Sequence, residues 1–574
     1  MLRTLFPVLL FAAPVVAAPP NVLIVITDDQ GYGDLGAHGN PVLKTPHLDA
    51  FTKQSAHLKR FHVCPVCSPT RSSLMTGQYH YRTGIVDTFR GQSMMRPDVP
   101  TLAEHLAAAG YRTGLFGKWH LGDHYPLRPE DRGFGETLWC HGGGLAQPSD
   151  LGPTPKDKYT DAPLMRNGKV TPTKGYCTDV FTDAALDFIG KDEKKPFFAY
   201  VAYNAPHGPY LVPEADAKPY LGIDLTPAAF PKVGQPWAGA KLNTAEIANA
   251  YGMIANLDAN FSRLMKALDD KKLADDTVVI FLTDNGPGGV RFNSGLRNRK
   301  GTTYDGGIRV PCYVRWPGQV KPGSVIDQPC AHIDLTLTLL EVAGAKPAKE
   351  VAFDGRSLLP LLTGKEKALP GRTLFLQWHR GDAPEKFRGF SAVGPRYKLV
   401  QANGTGEDAK WKPKFELFDI PADEFEQTDL AEKLPAEVTT LKKEYETWFA
   451  DVTKKGFDPV RIVVGSAKEP VTRLTPQDWR GPKAGFGAGT AGHWDITVAE
   501  AGKYEITLTP TGMPFEAWDG EVGEDRLSGL GDKERKVGVA RIDLKKGDTR
   551  LSFTVTSGKT TRAADIVSAR RVGK

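Results

Sequence analysis

The sequence predicts an α/β fold, followed by a small antiparallel sheet and then a separate all-β domain. Three observations carry this expectation. Continuous apolar, β-branched and aromatic runs (Asn21 to Thr27, Pro196 to Tyr203, Thr277 to Thr283) alternate with helical patterns, as buried parallel strands do. From Arg372 to about Leu417 the runs shorten to small antiparallel strands. From Gly456 onward polar and apolar residues alternate, as in Trp494-Asp-Ile-Thr-Val498, with turns spaced as in a sandwich and no helical pattern.

With 574 residues, 40% hydrophobic and 24% charged, the chain can bury a large core, and its length argues for more than one domain. The net charge of +6 is spread along the chain with no Lys/Arg tract, which points away from nucleic acid and suits an anionic substrate. Met1-Leu-Arg3, the apolar run Leu5 to Val16 and Ala17-Ala18 read as a signal peptide over residues 1–18. No cysteine follows that would carry a lipid, and no later apolar run reaches 18 residues, so no membrane insertion is expected. The expected location is periplasmic or secreted. Export permits disulfides, and Cys140–Cys177 and Cys312–Cys330 are candidate pairs that the sequence leaves open. Cys64-Pro-Val-Cys67 also fits a redox Cys-x-x-Cys, but no thioredoxin-like unit surrounds it.

In chain order, the first strand ends in Asp28-Asp29-Gln30-Gly31, two carboxylates at the strand's C-terminal edge, where open α/β sheets bind ligands. Their mutual repulsion calls for a cation, and oxygen-only ligands suit Ca²⁺ or Mg²⁺. A short helix over 46–55 and a strand over 56–63 lead to Cys67-Ser-Pro-Thr-Arg71, which reads as a helix start. Ser68 caps, Pro69 takes the first helical position and Arg71 the first turn. Cys67 then lies just before the helix, where backbone N–H groups and the dipole favour an anion and would activate a thiol. Thr101 to Ala109 is a helix capped by Thr101 and stopped at Gly110. The strand Tyr111 to His120 follows, with Lys118 and His120 two apart and so pointing the same way.

Residues 123–176, rich in Gly, Pro and charge, read as a long loop region over the sheet's edge. A helix over Asp179 to Ile189 precedes the strand that runs into Asn204-Ala-Pro-His207. Thr244 to Leu268, with apolar residues at helical spacing, is core packing. The strand Thr277 to Thr283 repeats the strand-to-acid pattern in Asp284-Asn285, and Lys300-Gly-Thr-Thr-Tyr-Asp-Gly-Gly307 leads into a strand over Ile308 to Val314. His332 to Ala343 is helical, then strands at Thr373 to Trp378, Gly389 to Val393 and Tyr397 to Gln401 are closed by a helix over Ala436 to Val452.

The phrases Asn-Val-Leu-Ile-Val-Ile-Thr-Asp-Asp-Gln, Cys-Ser-Pro-Thr-Arg, Gly-Lys-Trp-His, Ala-Pro-His, Thr-Asp-Asn-Gly and Arg-Lys-Gly-Thr-Thr-Tyr-Asp-Gly-Gly, in that order from Asn21 to about Val452, resemble the sulfatase family. The resemblance implies the alkaline-phosphatase-like superfold, a large mixed sheet flanked by helices. It implies a catalytic domain over 19–371 and a C-terminal subdomain over 372–455; outside it, the alternating pattern sets an all-β accessory domain over 456–574. It further implies that a formylglycine-generating or anaerobic sulfatase-maturating enzyme oxidises Cys67 to Cα-formylglycine, whose hydrated aldehyde attacks sulfur. One Ca²⁺ per chain would be bound by Asp28, Asp29, Asp284, Asn285 and modified Cys67. Arg71, Lys118 and Lys300 would cradle the sulfate oxygens. His207, or Lys300 beside it, would protonate the leaving alcohol, and a neighbour such as His120 would deprotonate the second hydroxyl, which expels sulfate. An unmodified serine or cysteine lacks that hydroxyl.

The expected substrate is a sulfated carbohydrate, with Arg90, His141, Trp378, His379 and Arg380 as candidate pocket residues. A phosphonate or phosphodiester hydrolase of the same superfold and a non-catalytic binder of sulfated glycans are the competing readings.

Overall fold

The computed structural model describes residues 18–573 except 152–157, 192–193, 236, 238–241, 349, 407–409, 488, 512–513, 533 and 535. The signal peptide read over residues 1–18 thus lies, but for its last residue, outside the described residues.

Four parallel strands, Thr277–Thr283, Asn21–Thr27, Phe197–Ala202 and Arg112–Lys118, form the middle of a ten-stranded mixed sheet. Their β-branched and aromatic side chains are buried on both faces, as continuous apolar runs require. The register pairs Thr27 with Thr283, so Asp28 and Asp284 leave the sheet side by side. Gly117 pairs with Ala202, which sets Lys118 at the same edge.

The edges of the sheet depart from expectation. Residues 123–176 do not form one long loop, since Glu136–Cys140 joins the sheet in parallel and Leu164–Arg166 and Lys169–Thr171 continue it as a hairpin. Asn167 and Gly168, both at positive φ, make its two-residue turn, the Asn-Gly signal of a tight hairpin. The strand expected over 56–63 divides into Ala56–Leu58 in the large sheet and Phe61–His62, which pairs with Cys330–Ala331. The strand expected from Ile308 begins at Cys312, because Asp305–Ile308 is a helical turn. Thr101 caps Leu102–Ala108 through a reciprocal capping box with Glu104. All six cysteines are buried, and neither candidate pair is bridged.

Leu374–Gln377, Phe390–Val393, Tyr397–Gln401 and Glu416–Asp419 form an antiparallel sheet on which the helix Pro435–Val452 lays Tyr445 and Trp448. Beyond it, the strands between Ile462 and Gly573 form two further sheets around a shared core that includes Trp494, Tyr504 and Phe553. Met94 and Leu127, from loops of the first sheet, complete that core.

The same seam carries buried charge. His124 lies 3.4 Å from Glu469 and 3.3 Å from Asp478, and Glu469 also accepts the Tyr125 N–H. Burial lowers the imidazole's proton affinity, but these carboxylates outweigh it and push its pKa to about 10. Burial and Asp478 push Asp123 upward. A histidine raised in the folded state contributes fully below its ordinary pKa and loses that contribution as pH climbs toward the raised value. The raised Asp123 adds a loss of the same sign at lower pH. Tm followed by calorimetry is therefore expected to fall from pH 7 to pH 10, and His124→Gln to lower Tm at pH 7 and flatten the slope.

Candidate active site

Consecutive strand residues point to opposite faces, so two adjacent aspartates converge only if one leaves the extended conformation. Asp29 does so, at φ 64° in the left-handed region. Asp28 Oδ2 accepts from Lys118 Nζ at 2.6 Å, and its Oδ1 lies 3.3 Å from Cys67 Sγ. Asp29 Oδ1 accepts from Lys300 Nζ at 2.5 Å and Asn285 Nδ2 at 2.8 Å, while its backbone N–H donates to Asp284 Oδ1.

The nucleophile helix differs from its expected start. It runs Cys67–Thr76, with extended Val66 at the N-cap and no side-chain cap, so Cys67 is its first residue and Ser68 does not cap it. Every residue of the helix is buried. The activated thiol expected there is not found: burial, Asp28 and Asp284 push the Cys67 thiol well above its ordinary pKa.

Arg71 is held by protein groups on three sides. Its Nε and Nη2 both donate to Asp284 Oδ2, and Nη1 donates to the Lys118 carbonyl. The guanidinium is buried and ties helix, acid and strand end together. Against its burial, Asp28 holds the Lys118 ammonium above its ordinary pKa. Asp29 does the same for Lys300.

Three carboxylates (Asp28, Asp29, Asp284) thus balance three cations (Arg71, Lys118, Lys300). Ligand atoms of Asp28, Asp29, Cys67 and His207 come within 4.8 Å of one another. Asn285 spends its amide N–H groups on Asp29 and Gly286, and its Oδ1 is buried without a donor. A buried acceptor left without a donor is costly. With Asp28, Asp29 and Asp284 at the same sheet edge, it offers a further oxygen of the kind a hard cation takes, although Asp284 lies outside the four converging residues.

Above this floor opens a cleft of about 210 Å³ lined by Cys67, His120, His207 and Lys300. The strand ends at Lys118, and His120 lies beyond it at φ 62°, so its place in the cleft comes from that turn and not from strand alternation. His120 Nε2 faces the Thr88 carbonyl at 2.7 Å and therefore carries the proton, leaving Nδ1, which is buried without a partner, as the lone pair. His207 likewise directs Nδ1 at the Gly208 carbonyl, leaving Nε2 3.8 Å from Asp29. Burial is the main reason that His207 is pushed down to about 4.

Of the five candidate pocket residues, only Arg380 lines the cleft, with Nη1 on Asp87 and Thr88. Trp378 donates to Asp87, His379 accepts the Glu385 N–H, and His141 stacks on Trp139. Arg90 lies over its neighbour Phe89 and is not among the lining residues. The sequence reading missed Thr88, Phe89, Gln147 and Phe486, which complete the walls. An aromatic set in the glycine-rich run Gly485 to Gly489 was the one sign of Phe486.

Comparison with known proteins agrees with this geometry. A family model described as Sulfatase matches residues 20–345. A second, N-sulphoglucosamine sulphohydrolase, C-terminal, matches 298–452. The chain is 34% identical to arylsulfatase A of Homo sapiens over 67% of its own length and 75% of the relative's. It is 32% identical to N-acetylgalactosamine-6-sulfatase of Homo sapiens, over 63% and 69%. The solved structure of Ps i-CgsB in complex with k-i-k-neocarrahexaose superposes with a TM-score of 0.64 at 27% identity, covering 77% of this chain and 95% of that one. With the alkaline-phosphatase-like sheet, the strand-end acids and the Cys67 helix in place, the chain belongs to the sulfatase family and is a hydrolase of sulfate esters.

Proposed function

We propose that the protein is an exported carbohydrate sulfatase that uses a formylglycine made from Cys67 and one Ca²⁺ held by Asp28, Asp29, Asp284 and Asn285. The carrying observation is the cleft over Cys67, which sets a charge-balanced floor of paired acids and cations beneath walls of Phe89, Phe486, Gln147 and Arg380. Aromatic faces and amide or guanidinium donors are what a sugar's apolar face and hydroxyls meet. The relatives named for N-acetylgalactosamine-6-sulfate and crystallised with neocarrahexaose support the same substrate class. Export rests on the N-terminal sequence, Leu5 to Ala18.

Formylglycine supplies a hydrated aldehyde as oxygen nucleophile, and Ca²⁺ supplies a Lewis acid that screens the sulfate oxygens. The chain's own groups do the rest. Lys300 Nζ, 3.4 Å from Cys67 Sγ, reaches both the nucleophile's position and a sulfate oxygen beside it. Lys118 neutralises Asp28 from below, and Arg71 positions Asp284. His207 keeps its proton on Nδ1 against the Gly208 carbonyl, so Lys300, held protonated by Asp29, is the group that would protonate the departing alcohol, and His120 Nδ1 offers the lone pair that takes a proton from position 67. With three acids matched by three bases, a dication leaves the site positive toward an anionic ester. The maturing enzyme has to act before folding, because Cys67 is 1% exposed.

The reading is tested by sulfate release from a panel of sulfated sugars, with an aryl sulfate and an aryl phosphate beside them. Release from one sugar class is the expected result. Turnover of the phosphate alone would transfer the case to the phosphohydrolase reading. Dialysis against EGTA is expected to abolish release and lower Tm, with both restored by Ca²⁺.

A further inference from the structure

The sheets beyond residue 452 lie outside both matching family models, yet they reach the nucleophile's cleft through Phe486. A second, larger cavity of about 920 Å³ opens beside that cleft, between the loop 146–150 and the C-terminal sheets. Gln147 and Phe486 line both spaces, so the two lie side by side and share a wall. We infer that this larger cavity binds the continuing chain of a sulfated oligosaccharide, beyond the sugar whose ester is cut. The inference rests on the carbohydrate reading above and extends it to a chain substrate.

Size, charge and rigidity support it. The 210 Å³ of the inner cleft falls short of the roughly 300–1,000 Å³ of pockets that enclose a whole drug-sized ligand, whereas 920 Å³ lies at the upper end. Lys158, Arg473, Lys483 and Arg562 line the larger cavity against two carboxylates, Asp150 and Asp565, an excess of cations suited to a polymer bearing further sulfates. Phe486 is 40% exposed and packs its ring on Phe89, leaving an aromatic surface at the junction. The wall is fixed in place. Gln477 Nε2 donates to the Thr88 carbonyl and to Ser93, and Arg480 Nη2 donates to the Gly91 carbonyl. The Thr88 carbonyl is also the acceptor of His120, so the C-terminal sheets hold the loop that orients a cleft histidine.

The test uses the full, matured chain and compares kcat/KM for a sulfated hexasaccharide with that for an aryl sulfate. Lys483→Ala/Arg562→Ala, at residues that line the larger cavity and not the inner cleft, is expected to lower the hexasaccharide-to-aryl ratio about tenfold, chiefly through KM. Lys483→Arg is expected to keep the ratio. Both rates falling together, or neither, would overturn the inference while leaving the carbohydrate reading intact. If the unsubstituted enzyme cut the aryl ester and no sulfated sugar, the carbohydrate reading would fail and take the inference with it.

Discussion

Cys67→Ala is expected to lower kcat for sulfate-ester hydrolysis by about 10⁵-fold or more, the scale seen when a covalent nucleophile is removed. The fold is expected to survive. Cys67 opens a helix that is stopped by Gly77 in the left-handed region and braced by Thr70 on the Cys64 carbonyl, and alanine is compatible with all of these. The small loss of volume costs about 1 kcal/mol or less, and Tm should report it. Purified variant and parent, assayed for sulfate release under the same Ca²⁺, make the comparison. Loss of Tm in step with activity would assign the effect to folding.

Lys300→Ala is expected to lower kcat/KM about 10²- to 10³-fold, the usual cost of removing one preorganised donor from a charge-developing centre. Two neighbours make this lysine informative. Its ammonium touches Asp29 and stands 3.4 Å from Cys67 Sγ, so it serves the metal acids and the reacting position together. Its side chain is 20% exposed, so its removal leaves Asp29 with Asn285 and some solvent, and stability should change little. Lys118 offers no such clean test. It is fully buried against Asp28, and alanine there would leave that buried carboxylate with only the Arg71 guanidinium 3.9 Å away, at a cost of about 3 kcal/mol. Steady-state kinetics with a thermal melt separates the two cases.

The strand-end acids were legible because each follows an apolar run that has only one way to be buried. Thr27 and Thr283 pair where Asn21 to Thr27 and Thr277 to Thr283 predicted strands, and the sheet then brings Asp28 and Asp284 together. Local conformation was less legible. His120 reaches the cleft through a left-handed turn, and Val66 starts the nucleophile helix without a side-chain cap. The hairpin at Asn167-Gly168 carried its turn signal, but three-residue strands hold too few alternations to be read. Arg71 sits where a helix start places it, yet its partner Asp284 is 213 residues away, and no local pattern says whether such a cation faces an acid or a substrate. Phe486 was the least accessible, because it enters the cleft only when one folded unit docks on another.

The most direct test of the account plots the sulfate-release rate against the fraction of Cys67 carried as an aldehyde. Preparations made with graded amounts of maturing enzyme would supply the range, and peptide mass spectrometry the fraction. The account predicts a straight line through the origin. Full activity from protein whose position 67 is wholly thiol would contradict it.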